Sequence, residues 1–159
     1  MTASTELETA LGHSFRNPAL LLRALTHRSH AQESSGANGS LPNEQLEFLG
    51  DAILGFLVSE TLVERFPDCA EGQLSKLKAH LVSATHLHSV AQGIALGQFL
   101  RLGKGEEQSG GRAKKTLLVD ALEALVAALY LDGGLDPARA FVSRYVIDSI
   151  DWKQSVMYL

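Results

Sequence analysis

Asn43-Glu44-Gln45-Leu46-Glu47-Phe48-Leu49-Gly50-Asp51 opens an apolar-periodic run that continues to Phe66. Read as a helix, it advances about 100° per residue and brings Glu44, Glu47 and Asp51 within roughly 60° of one another. Like charges on one stripe repel, each i,i+4 pair costing an isolated helix roughly 0.2–0.5 kcal/mol. No Lys or Arg lies between Arg28 and Arg65 to relieve them. A helix N-terminus favours acids by about 0.3–1 kcal/mol, which accounts for Glu44 but not for Asp51 two turns in. The stripe therefore calls for compensation from outside the helix, and a divalent cation is the economical candidate.

A second acidic pair lies downstream in Leu117-Leu118-Val119-Asp120-Ala121-Leu122-Glu123-Ala124-Leu125. Asp120 and Glu123, at i and i+3, share one face of an otherwise apolar helix, so both are expected to be partly buried and to need a partner. Small residues flank both pairs: Gly50, Ala52 and Gly55 in one helix, Ala121, Ala124, Ala127 and Ala128 in the other. Close packing of the two helices would converge four acids on one point. An all-oxygen donor set suits Mg²⁺, with Mn²⁺ able to substitute, rather than zinc.

The 159 residues, 45% hydrophobic and 20% charged, describe an ordinary globular domain and exclude a disordered chain. A single cysteine, Cys69, permits no intramolecular disulfide and fits a reducing compartment. Met1–Ala10 lacks the basic and apolar regions of a signal peptide, and no apolar run is long enough to span a membrane. A cytoplasmic location is expected, with no membrane and no small-molecule cofactor. The net charge of −4 argues mildly against nucleic acid, but basic residues gather at Arg101, Lys104, Arg112, Lys114 and Lys115.

Thr5-Glu6-Leu7-Glu8 has the form of a capping box for a short helix stopping at Gly12, and Asn17-Pro18 reads as the N-cap and first residue of the next. Residues 31–42 and 103–112, rich in glycine and polar residues, read as mobile loops. Further helices are expected over 73–82, 84–92, 114–131 and 136–150. No alternating strand pattern and no internal repeat occurs, so the domain is expected to be all-α. The histidines lack the cysteine companions of a structural zinc site, and none has the Glu-x-x-His spacing of a di-iron bundle.

Together these residues carry a family resemblance. Asn-Glu-x-Leu-Glu-Phe-Leu-Gly-Asp-Ala at 43–52 and Asp-Ala-Leu-Glu-Ala-Leu-Val-Ala-Ala-Leu-Tyr-Leu-Asp-Gly-Gly at 120–134 resemble signatures of the ribonuclease III catalytic domain. Glu71-Gly72-Gln73-Leu74-Ser75-Lys76-Leu77-Lys78 and Leu25-Thr26-His27-Arg28-Ser29 resemble two further blocks, in order. The resemblance implies a homodimeric helical endonuclease that cleaves double-stranded RNA in rRNA and mRNA processing, leaving 5′-phosphates and short 3′ overhangs. It implies catalytic and metal-holding roles for Glu47, Asp51, Asp120 and Glu123, and supporting roles for Glu44 and Glu71. Lys76, Lys78, Arg112, Lys114 and Lys115 are the candidates for contact with RNA.

Residues 1–152 are expected to form this domain, and 153–159 a tail or the start of a linker to an absent double-stranded RNA-binding domain. RNA affinity should then be weaker and more salt-sensitive than in a two-domain enzyme. Gln45 stands where the family commonly has arginine, and Thr116 where it commonly has serine. The rival reading is a non-catalytic double-stranded RNA-binding or dimerisation module of the same fold; such a protein is expected to lose one of the four acids, and none is lost.

Overall fold

The computed structural model describes residues 3–34 and 41–153. The order of helices is α1 (Ala3–Leu11), α2 (Pro18–Leu25), α3 (Arg28–Glu33), α4 (Glu44–Arg65), α5 (Glu71–Leu81), α6 (Ala84–Gly93), α7 (Lys104–Gln108), α8 (Lys115–Gly133) and α9 (Leu135–Phe141). Short 3₁₀ turns at Leu96–Phe99 and Gly111–Ala113 flank α7, and a π-helical turn over Val142–Ile147 follows α9. No strand forms among the described residues beyond an isolated bridge between Thr26 and Arg101, as the all-α expectation requires.

The spindle of the fold is α8. Leu118, Val119 and every residue from Ala121 to Leu129 are buried, so the helix is apolar nearly all round and must be enclosed on every side. α4 packs along it most extensively, and α2, α6 and α9 close the remaining faces. α4 itself is covered on one side only. Leu46, Ile53, Leu54, Leu57, Val58 and Leu62 face the core, whereas Phe48 (84% exposed), Phe56 and Val63 lie in solvent. At 100° per residue those three fall within about 80° of one another, an apolar stripe without a partner in the monomer.

A short β-like link fixes where α4 begins. The His27 amide donates to the Arg101 carbonyl (3.0 Å) and the Arg101 amide to Leu25 (2.8 Å). The Asn43 amide donates to the Thr26 carbonyl (2.9 Å), and the buried Asn43 side chain donates to Ala24 (3.0 Å). Asn17 caps α2 by accepting from the Ala19 amide, with Pro18 at the first helical position, as its sequence indicates.

Several local expectations are corrected. α1 begins at Ala3, so Thr5 lies inside the helix; Glu8 instead accepts from the Phe15 amide (3.0 Å) and closes the turn after Gly12. α3 runs to Glu33, into the segment read as a loop, while residues 35–40 and 154–159 lie outside the described residues. α5 starts at Glu71, two residues early, because Gln73 reaches back to the Ala70 amide (2.9 Å).

The glycine-rich stretch 103–112 is ordered. Arg112 donates to the carbonyls of Gly97 (3.1 Å) and Leu100 (2.6 Å) and pairs with Glu107, and Lys114 pairs with Glu106 (2.7 Å). The last helix is broken at Val142, where a widened turn directs the Val146 carbonyl to His86 Nε2 (2.7 Å). No helix of the described residues is long and apolar enough to cross a membrane.

Candidate metal centre on the α4–α8 crossing

The two acidic pairs meet where α4 crosses α8. Gly50 sits between Glu47 and Asp51 at the contact. A Cβ there would overlap the backbone carbonyl oxygen of Glu123 and lie 2.5 Å from its carbonyl carbon. Only glycine allows the helices to approach this closely. That approach brings one carboxylate oxygen each of Glu47, Asp120 and Glu123 within 4.8 Å of one another. Asp51, on the exposed side, joins the group through a hydrogen bond with Glu123.

The electrostatics record the crowding. Glu123 is buried, 9% exposed. Burial first, then its hydrogen bond to Asp51 and the charges of Asp51, Glu47 and Asp120, push its carboxyl up to about 8. Burial, together with the charge and hydrogen bond of Asp120, pushes Glu47 up to about 7, with Glu44 and Asp51 adding to the effect. Burial also raises Asp120, opposed by its hydrogen bond from Glu47 and by His27 and Arg28. The crowding favours the protonated form of Glu123, and to a lesser degree of Glu47, with hydrogen bonding between Glu123 and Asp51 and between Glu47 and Asp120. Crowded, partly buried carboxyls of this kind would be stabilised as carboxylates by a nearby positive charge. One oxygen from each of Glu47, Asp120 and Glu123 could be shared by a single hard cation. The donor set fits a hard divalent cation.

The other candidates are placed as follows. Glu44 is exposed in the first turn of α4, and its charge is felt at Glu47 and at His27. Glu71 is exposed at the start of α5, accepts from the Ser75 hydroxyl (2.6 Å), and is not part of the cluster. Arg112 and Lys114 are engaged in stapling the 97–114 segment, and Lys115 donates to Thr85 (3.0 Å). Lys76 is exposed and Lys78 half-buried on α5.

Two features add detail to the sequence reading. His27 caps α3, its Nδ1 accepting from the Ser29 amide (3.2 Å) and lying 2.8 Å from the Ser29 hydroxyl, while burial lowers its pKa. Gln45 accepts from the Arg23 guanidinium (2.9 Å), so α2 supplies a positive charge at the position where the local sequence lacks one.

The family profile described as Ribonuclease-III-like matches residues 17–150. The chain belongs to the ribonuclease III family. Among curated relatives, Ribonuclease 3 of Solibacter usitatus is 61% identical over 147 residues, covering 90% of this chain and 54% of the relative. Ribonuclease 3 of Ectopseudomonas mendocina is 51% identical over 147 residues, covering 92% of this chain and 61% of the relative. The chain therefore spans little more than half the length of these ribonuclease III relatives. Among solved structures, the nuclease domain of ribonuclease III from Campylobacter jejuni superposes with a TM-score of 0.83 at 38% identity, covering 95% of this chain and all of that one. A second structure of that domain, described in terms of flexibility in a region involved in dimer formation, gives a TM-score of 0.82 at 39% identity over 91% of this chain and 96% of that one.

Proposed function

We propose that this domain is a Mg²⁺-dependent endoribonuclease that hydrolyses phosphodiesters of double-stranded RNA, leaving 5′-phosphates and short 3′ overhangs. The observation that carries this reading is the convergence of Glu47, Asp120 and Glu123, with Asp51 bonded to Glu123, on a crossing that glycine alone permits. Its expected setting is rRNA and mRNA processing in the cytoplasm.

In this reading Glu47, Asp51, Asp120 and Glu123 hold the cation, and Mn²⁺ substitutes for Mg²⁺. When bound, such a cation lowers the pKa of a coordinated water and neutralises charge that builds on the leaving oxygen. The residues' own part is to stay in place. Glu47 and Glu123 would hold the cation as carboxylates, and the packing of α4 on α8, rather than long flexible stems, keeps them in place. Glu44 adds negative charge at the rim, and Glu71 is assigned a supporting role from a separate cleft. Lys76 and Lys78 remain as candidate RNA contacts.

The domain works as a homodimer in this account, the two copies meeting through the α4 stripe of Phe48, Phe56 and Val63. Exposure of three large apolar side chains on one face supports that arrangement. Residues 1–152 form the catalytic unit and the following residues a tail or linker.

The discriminating experiment offers the protein a long RNA duplex, its separated strands and a DNA duplex of the same sequence, each with Mg²⁺. Cleavage confined to the RNA duplex, with 5′-phosphate products, is expected. Equal attack on single strands or on DNA contradicts the substrate assignment, because recognition of A-form shape and 2′-hydroxyls is what the reading requires.

A further inference from the structure

A cleft of about 400 cubic ångströms opens between α4 and α5 beside the acidic centre, lined by Asp51, Ala52, Gly55, Phe56, Lys78 and Val82. It adjoins the centre through Asp51, whose carboxylate is bonded to Glu123. Lys78 is the sole cation in the lining. Its stem lies over Gly55, with Cε 3.8 Å and Nζ 3.7 Å from where a Cβ of Gly55 would be. Leu74 and Leu81, one turn to either side, pack into the core and hold this face of α5 against α4. Lys76, about 200° round the helix, is exposed and points elsewhere.

Lys78 is half-buried, and no carboxylate among the described residues pairs with it. Asp51 lines the same cleft without closing an ion pair. Arg23, Arg112 and Lys114, which border the neighbouring loops, each already have an acceptor. Partial burial of an ammonium without a counter-ion is unfavourable. The missing partner should be an anion that arrives with the substrate. A polyanionic strand approaching four acids also needs a nearby positive group to offset repulsion.

We propose that the Lys78 ammonium binds a phosphate oxygen of the RNA strand next to the phosphodiester being cleaved, with the α4–α5 cleft as the seat of that phosphate. This rests on reading the domain as a double-stranded RNA hydrolase. The contact holds the strand in register with the acidic centre; Lys78 takes no proton and forms no bond in the reaction. Gly55 leaves this side of the seat open; an alanine there meets the Lys78 stem at ordinary contact distance, and only a side chain larger than alanine would crowd the ammonium.

The test compares wild type, Lys78→Met and Lys78→Arg in Mg²⁺-dependent cleavage of an RNA duplex, with KM and kcat measured across a salt series. Methionine keeps the stem over Gly55 and removes the charge. Loss of one charge-assisted contact should raise KM about tenfold or more with kcat nearly unchanged. The salt slope of the apparent affinity should fall by about one. Arginine should restore most of the affinity.

A wild type that cleaves normally beside a Lys78→Met variant with unchanged KM and salt slope overturns this inference and leaves the hydrolase reading standing. A wild type that does not cleave overturns both. A variant whose loss is confined to kcat, or whose dimer dissociates in sedimentation while KM per dimer is unchanged, assigns the cleft to positioning of the centre or to the protein interface, and contradicts a phosphate seat.

Discussion

Gly50 and the backbone carbonyl of Glu123 meet across the α4–α8 crossing with no space for a side chain between them. The contact is backbone against backbone, so nothing flexible can yield. Gly50→Ala must push the helices apart, which both strains the most extensive packing in the fold and separates Glu47 from Asp120 and Glu123. Expected are a stability loss at or above the top of the roughly 1–3 kcal/mol range for overpacking and loss of cleavage. Thermal denaturation and a cleavage assay check both. Gly55→Ala is the control: its Cβ would meet Lys78 at ordinary contact distance, and removing a helix-interior glycine should stabilise by about 0.5–1 kcal/mol.

Glu123→Gln should leave the metal-free fold intact at neutral pH, because the native side chain is already neutral there and glutamine keeps its shape. Melting temperature in EDTA should be nearly unchanged. Stabilisation by Mg²⁺ should vanish, and cleavage should fall by about a hundredfold or more, since even residues behind metal ligands cost 10–100-fold. Retained cleavage removes Glu123 from the ligand set.

The raised carboxyls make metal-free stability depend on pH with a definite sign. From about pH 4.5 the folded protein retains protons that the unfolded chain has released, on Glu47 up to about pH 7 and on Glu123 up to about pH 8. Where the native state binds more protons, stability falls as pH rises. The groups facing these two are Asp51, Asp120 and Glu44, with His27 and Arg28 on the Asp120 side. The melting temperature in EDTA should therefore drop from pH 5 to pH 8.5, and the upward shift given by Mg²⁺ should grow over the same range. A flat metal-free profile would contradict the crowding described here.

Arg112 was read from sequence as a candidate RNA contact, but its guanidinium bridges Gly97, Leu100 and Glu107. Arg112→Ala should lower stability by about 1–3 kcal/mol through unsatisfied acceptors and leave the salt slope of RNA binding unchanged. Calorimetry and binding titrations separate the two effects.

Phe48 is 84% exposed beside the acidic stripe. Phe48→Glu should convert dimer to monomer in sedimentation while helical circular dichroism is preserved, since the side chain makes no core contribution. A variant that remains fully dimeric moves the interface away from this face.

Much of the site was readable because charge repulsion and helical period are properties of the chain alone. Glu47 and Asp51 had to share a stripe, and Asp120 and Glu123 had to face inward from an apolar helix. The small residues around both pairs indicated close approach, but not that Gly50 is the single point of contact; that depends on the crossing angle. The 103–112 segment was misread because glycine content reports local freedom, while Arg112 and Lys114 fix it through distant carbonyls and acids. The same limit hid the compensation of Gln45 by Arg23, which comes from a helix 22 residues earlier. Phe48 reads identically as core or surface in sequence, and only packing assigns it.

The central claim is that the four carboxylates make a cation-dependent hydrolytic centre. Purified protein and its Glu123→Gln variant should be incubated with a long RNA duplex at low salt, with Mg²⁺ or with EDTA, and the products resolved on a gel. The account predicts short duplex fragments only for the unaltered protein with Mg²⁺. Intact RNA in every lane, or fragments that persist in EDTA or with the variant, would contradict it.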